Sequence, residues 1–228
     1  MIYSILVIYV TKIYIVRHCE TEGNTKKVFQ GHCDLPITKL GEAQLRALSK
    51  RFDKIHLDKI YSSPLLRAYK TAEALKGNKD TEIICYDELI ELNGGVLEGK
   101  TYEEIYSTFP GFKDMWLNNT YDFAPENGET MRDGYCRIWN AILNIAQENA
   151  GKTIAVSTHG GMIRCLLTRL LEGSVEKMPN VPWAGNTSVS LIEFDSDFTP
   201  TLKICDDTSH LGENLKNANA GIPMGNEK

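Results

Sequence analysis

The chain has 228 residues and a formal net charge of −5, with 25 Lys and Arg against 30 Asp and Glu. That balance excludes a globally basic surface for nucleic acid, and the length fits one large domain, residues 1–228, undivided by repeats or linkers. The six cysteines (19, 33, 85, 136, 165 and 205) show neither a CxxC pair nor metal-ligand spacing, and read as the reduced thiols of a cytoplasmic protein.

Residues 1–10 are mostly apolar but too short to span a bilayer, which takes about 20 residues. No basic residues precede the apolar run, as a secretory signal would require. They are expected to be an extension upstream of a start at Val10; an added strand or oligomer contact, or a membrane-associated segment, are the alternatives. From Ile13 a β-branched apolar run reads as a buried strand and stops at Arg17-His18. In α/β sheets the site opens at the carboxyl ends of parallel strands, so this run delivers a guanidinium and an imidazole together into a cleft. Arg offers oxyanions a planar fork of donors, and imidazole is an acid, base or nucleophile near neutrality. The pair points to chemistry on phosphate.

Thr38 caps a helix that runs to about Phe52. Residues 58–61 form a short strand, followed by Ser63 as N-cap and Pro64 as the first helical residue. Arg67 then falls about one turn into the helix, near its positive end. Residues 82–86 make a strand, and residues 129–149 a long helix with apolar positions at helical spacing. Residues 153–158 form a second buried strand ending in His159-Gly160-Gly161, with a helix over 162–171. Backbone N–H groups at such a helix start can face an anion. Residues 187–194 alternate as a strand, 201–205 form an edge strand, and 212–228 make a polar, loose tail. Strands alternating with helices imply a three-layer α/β/α sandwich with a mostly parallel central sheet.

Five blocks in order carry a resemblance. They are Arg17-His18-x-Glu20-Thr21-x-x-Asn24, Gly31-x-x-Asp34-x-Pro36-x-Thr38-x-x-Gly41, Ser63-Pro64-Leu65-x-Arg67-Ala68, Leu97-Glu98-Gly99 and Thr158-His159-Gly160-Gly161. Together they resemble the histidine phosphatase superfamily, also called phosphoglycerate mutase-like, over roughly residues 11–210. The resemblance implies the sandwich above and a phosphohistidine intermediate on His18. An imidazole nitrogen can displace an alcohol from a phosphomonoester and split one hard step into two. Arg17, Arg67 and His159 would surround the three non-bridging oxygens, which suits phosphoryl transfer without a metal or other cofactor. By the same resemblance Asn24, Gln30 and Gly31 touch the phosphate, and Gly160 at the helix start joins them.

The leaving alcohol needs a proton and the second step needs a base, and one carboxylic acid can do both. Residues 89–99 match the family's Leu-x-Glu-x-x-x-Gly-x-x-Glu-Gly region at most positions, with the central glycine at Gly94 or Gly95. Glu91 is therefore the expected acid, and Glu98 a structural loop carboxylate. Cys19 stands where the family has Gly; it is read as a small filler whose thiol makes the enzyme sensitive to oxidants. His18-Cys19 does not open a cysteine-phosphatase loop. The phosphate-cradling Arg that such a loop needs six residues after Cys19 is Thr25, and the second His-Cys, His32-Cys33, meets Lys39 there.

A mutase must hold a second anionic group, which calls for extra Lys or Arg over the site. From Asn93 to Met131 only Lys100 and Lys113 are basic, against seven acids. The segment is instead aromatic (Tyr102, Tyr106, Phe109, Phe112, Trp116, Tyr121 and Phe123); about two thirds are expected in the core and the rest around a partly apolar leaving group. His-Gly-Gly resembles the broad-specificity and α-ribazole phosphatase branches. The expectation is a phosphomonoesterase acting on a small phosphorylated metabolite, with a cofactor-dependent mutase or a non-catalytic phosphate-binding module as alternatives. Neither nucleic acid nor stable membrane association is expected, and a homodimer is left open.

Overall fold

A computed structural model describes residues 9–216. Its sheet has six strands: β1 (Thr11–Arg17), β2 (Lys59–Ser62), β3 (Ile83–Cys85), β4 (Thr153–Thr158), β5 (Val189–Phe194) and β6 (Pro200–Asp207). Their order is β3-β2-β4-β1-β5-β6. The first four neighbours run parallel, β5 lies antiparallel to β1, and β6 antiparallel to β5. The helices are α1 (Glu22–Thr25), α2 (Lys39–Phe52), α3 (Leu66–Lys76), α4 (Tyr102–Thr108), α5 (Phe112–Asn118), α6 (Met131–Glu148) and α7 (Gly160–Glu172).

The period of two along the central strands sends alternate side chains to opposite faces, and each face has its own core. Ile13 and Ile15 of β1, Tyr61 of β2, and Ile154 and Val156 of β4 pack with Ile138 and Ile142 of α6 and Ile163 and Leu166 of α7. Val16, Ile60 and Ala155 point the other way, onto Leu48 and Phe52 of α2 and Ala72 and Leu75 of α3. The architecture is therefore the three-layer α/β/α sandwich with a mostly parallel sheet.

Register sets the site. Arg17 pairs with Thr158, and the ladder continues one step as His18 N–H donates to Thr158 O at 3.0 Å. Ser62 pairs with Ser157, and Ser63 N–H donates to Ser157 O at 3.0 Å. Three adjacent parallel strands thus end at one level. His18, His159 and Ser63 emerge there together, although their segments are far apart in the chain.

Two local expectations need correction. Leu65, not Ser63, is the N-cap of α3, so Arg67 is its second residue rather than one turn in. The Ser63 hydroxyl is taken by His159 Nε2 at 2.7 Å, and Leu66 N–H donates instead to Asp34 Oδ2, from a distant loop, at 2.6 Å. The helix after β4 starts at Gly160, two residues earlier than its apolar pattern suggested. The tail also departs from expectation at its start. Residues Glu213–Leu215 form a 3-10 turn, and Leu215 O accepts from Gln44 Nε2 at 3.0 Å. What was expected of residues 1–8 and 217–228 lies outside the described residues. No described helix is long and apolar enough to cross a membrane.

Candidate active site

His18 is almost fully buried at the end of β1. Its Nδ1 lies 2.7 Å from the carbonyl oxygen of Cys19. A carbonyl only accepts, so Nδ1 carries the proton and Nε2 keeps its lone pair. Burial, and then the Arg67 and Arg17 charges, hold the imidazole well below its ordinary 6.5. The ring is therefore neutral at neutral pH, the state a nucleophile needs.

The expected phosphate-binding groups converge around it. The His159 ring centroid is 5.3 Å from that of His18. His159 Nε2 lies 2.7 Å from the Ser63 hydroxyl, which also accepts from Leu65 N–H at 3.3 Å. Arg67 is 1% exposed. It donates through Nη1 to Cys33 O at 2.8 Å and through Nη2 to Gly31 O at 2.7 Å. Both His159 Nδ1 and Arg67 Nε are buried with no protein partner among the described residues. Polar groups so placed are costly unless a ligand atom reaches them. Arg17 Nη1 donates to Ala184 O, which ties this guanidinium to the loop before β5. Burial lowers its pKa to about 10, so it remains a cation at neutral pH.

Asn24 and Gln30 line the same pocket with Gly31. Thr21 orients both amides: its N–H donates to Asn24 Oδ1 at 3.0 Å and its hydroxyl donates to Gln30 Oε1 at 2.7 Å. With these oxygens committed, the NH₂ ends are what the amides can offer a ligand. Gly160 lines the pocket beside Arg17; a Cβ there would lie 3.2 Å from Arg17 Nε.

Glu91 borders the pocket, and its carboxylate accepts from Leu92 N–H and Gly161 N–H, each at 3.0 Å. The positive start of α7 therefore holds a protein carboxylate at Gly161 rather than an outside anion. Only glycine allows this approach, since a Cβ at position 161 would sit 2.5 Å from Glu91 Oε1. Glu98 does a different job. It accepts from His32 and Cys33 N–H at 2.9 Å each and from Gly94 N–H at 2.8 Å. It thereby joins the 30–33 loop to the 91–98 loop and does not line the pocket.

Several contributors carried no readable signal in the sequence. Arg137 of α6 grips Glu129 with two bonds, at 2.8 and 2.7 Å. From there it donates to Glu88 O at 2.7 Å and Ile90 O at 2.9 Å, bracing the segment that presents Glu91. The rest of the pocket wall is Val28, Phe29, Leu92, Tyr102, Trp116 and Trp183, with Gly23 and Lys27. Trp183 stacks on Trp116 with ring centroids 5.9 Å apart, and the Arg164 guanidinium covers Trp183 at 4.7 Å. Of the seven aromatics noted between residues 102 and 123, Tyr102 and Trp116 reach this pocket, while Phe112 and Phe123 are buried beyond it.

Cys19 departs from what was expected of it. It is fully buried, and burial pushes its thiol up to about 12, so little thiolate exists at neutral pH. Contrary to the expectation of an oxidant-sensitive site, the thiol is shielded and protonated. Iodoacetamide should leave Cys19 unmodified in the native protein and alkylate it only after denaturation, which peptide mass mapping reads directly. Modification of Cys19 in native protein would contradict this.

Arg17, His18 and Arg67 line one pocket, and the buried His159 ring lies 5.3 Å from that of His18; together they define a phosphate-handling α/β enzyme. Residues 13–207 match the family described as the histidine phosphatase superfamily (branch 1). Phosphoserine phosphatase 1 of Hydrogenobacter thermophilus is 29% identical over 214 residues, covering 92% of this chain and 99% of its own. Phosphoglycerate mutase-like protein 4 of Arabidopsis thaliana is 34% identical, over 89% of this chain and 87% of its own. Among solved structures, Bacillus stearothermophilus YhfR aligns with a TM-score of 0.84 and 32% identity, covering 88% of this chain and 98% of its own. The chain belongs to the histidine phosphatase superfamily, and it is a phosphoric monoester hydrolase acting on a small phosphorylated substrate.

Proposed function

We propose that the enzyme hydrolyses its substrate through a phosphohistidine on His18, without a metal, and that the leaving group is small and partly apolar. In the first step His18 Nε2 attacks phosphorus while Glu91 gives its proton to the departing oxygen. In the second, Glu91 takes a proton from water as that water attacks the phosphohistidine, and free phosphate leaves. Arg17, Arg67 and His159 neutralise the charge that develops on the non-bridging oxygens, with Asn24, Gln30, Gly31 and Gly160 completing the cradle.

The leaving-group reading is carried by what lies beyond that cradle. The wall is aromatic and aliphatic, and Lys27 is its one further cation among the described residues. Lys100 and Lys113, the two cations of the segment over the site, turn elsewhere. Lys100 donates to Val96 O at 2.6 Å, and Lys113 lies over the Tyr106 ring at 5.8 Å. A mutase needs a second anion site, so this wall favours hydrolysis. The six cysteines are all unpaired, which suits a cytoplasmic enzyme, and we take residues 1–228 as one domain.

The test is phosphate release from a panel of monoesters in excess chelator, including p-nitrophenyl phosphate, phosphoserine and phosphorylated alcohols with apolar groups. Release is expected with chelator present, and kcat/KM should rise with the apolar area of the alcohol. Interconversion of phosphoglycerates in the presence of a bisphosphate primer, outpacing hydrolysis, would establish a mutase. No release from any ester would indicate a binding module. Loss in chelator reversed by a divalent ion would overturn the metal-free mechanism.

A further inference from the structure

The backbone behind the nucleophile is strained. Thr187 is fully buried with φ at 54°, in the left-handed region that β-branched residues avoid because their Cβ crowds the backbone. That conformation turns its N–H onto two carbonyls, Arg17 O at 3.1 Å and His18 O at 3.3 Å. Asn186 Nδ2 adds a bond to His18 O at 2.9 Å, and Arg17 N–H donates to Ser188 O at 3.2 Å. Residues 186–188 thus clamp the peptide groups on both sides of His18.

A second set of side chains holds the threonine. His210 Nε2 lies 3.3 Å from Thr187 Oγ1, and its Nδ1 lies 3.1 Å from Arg51 Nη1. A guanidinium only donates, so His210 Nδ1 accepts and Nε2 carries the proton toward Thr187. Arg51 is fixed in turn by Asp207, through an ion pair at 2.7 Å and a bond to its carbonyl oxygen at 3.2 Å. Burial, and then the Arg51 charge, push His210 down to about 4, which keeps it in that neutral form. None of Thr187, His210, Arg51 and Asp207 lines the substrate pocket. A strained conformation persists only where its surroundings over-determine it, and such strain gathers at functional sites.

We infer that Thr187 and His210 are positioning residues. The His210–Thr187 hydrogen bond, oriented by Arg51, keeps Thr187 in its left-handed conformation, so that its N–H fixes the Arg17–His18 backbone and aims the His18 imidazole. This rests on His18 being the nucleophile. Among the described residues, the hydrogen bond that orients the ring itself runs to Cys19 O, one peptide away, so a shift of this backbone is passed to Nε2. Misplacement of a reacting atom by about 1 Å can cost on the order of 100-fold in rate.

The test follows the pre-steady-state burst with p-nitrophenyl phosphate and the His18 Nδ1–H proton resonance in the full-length protein. Thr187→Val removes the hydroxyl and keeps the β-branch; His210→Ala removes its partner. Each is expected to slow the burst about tenfold, leave KM within about twofold and shift the His18 resonance. Thr187→Ser and His210→Gln, which retain the bonding groups, should recover most of the rate. Thr187→Gly, which tolerates the backbone conformation without strain, should keep Tm and still lose burst rate; it and His210→Gln carry the test if His210→Ala does not fold. Wild-type burst rates with an unshifted resonance, or a fall in Tm with full rate per folded molecule, would overturn the inference. A wild-type enzyme that forms no phosphohistidine on His18 would instead overturn the mechanism on which it rests.

Discussion

Replacing His18 by alanine is expected to lower kcat by on the order of 10⁴-fold or more, because the variant lacks the atom that accepts the phosphoryl group. Quenching wild-type enzyme with labelled substrate under non-acidic conditions should trap label that is stable to base, lost in acid and mapped to His18. The structure sharpens this result. Nδ1–H is committed to Cys19 O, so the adduct forms on Nε2. Burial and the two arginines keep the ring neutral well below pH 6.5, so the acid limb of the rate profile should not show a histidine titrating near that value. His159→Ala should retain nucleophilic chemistry and lose about 10²- to 10³-fold, the usual consequence of deleting one donor to a developing oxyanion. Label on a cysteine, or a His18→Ala variant that still turns over at a substantial rate, would remove His18 from its role.

The second large effect is at Glu91. Glu91→Gln keeps the size of the side chain and removes its ability to exchange a proton. A leaving group such as p-nitrophenolate departs without a proton, whereas an alkoxide does not. Phosphorylation of His18 by an alkyl phosphate should therefore fall by about 10²- to 10⁴-fold, and far less with the aryl ester. With the aryl ester the phosphohistidine should accumulate, since its hydrolysis has lost the base. Glu98→Gln is expected to behave differently. Each of its three backbone N–H bonds to a charged acceptor contributes about 1.5–3 kcal/mol, so the substitution should lower Tm and leave the ratio of aryl to alkyl rates unchanged. Equal losses on both ester types at Glu91, or the leaving-group signature at Glu98, would move the acid assignment.

Much of the site was legible because its residues sit at the ends of strands that announce themselves. The runs before Arg17-His18 and His159-Gly160 are apolar on both faces, as buried parallel strands must be, and each breaks into polar residues where the sheet ends. What misled the reading was local grammar applied to residues with distant partners. Ser63 has the composition of an N-cap but serves His159, and the helix start it would have capped is satisfied by Asp34 from 32 residues upstream. Cys19 looked reactive beside a nucleophile, and burial removes that reactivity. Arg137, Trp183 and Thr187 had no local signature, because their importance lies in what they touch across the fold.

The order of strands and helices, the choice of side chains at the strand ends and the scarcity of cations between residues 93 and 131 follow from the amino-acid sequence itself. They depend on periodicity, charge and residue type, which act over a few residues. Tertiary structure alone decided that β1, β4 and β2 end at one level, since register is set by packing between segments far apart in the chain. It also separated Glu91 at the pocket from Glu98 between two loops, two glutamates seven residues apart in similar surroundings. The difference lies in which backbone N–H groups reach each carboxylate: those at the start of α7 for one and those of the 30–33 loop for the other. Such contacts are properties of the folded chain, because they exist only once its segments have been brought together.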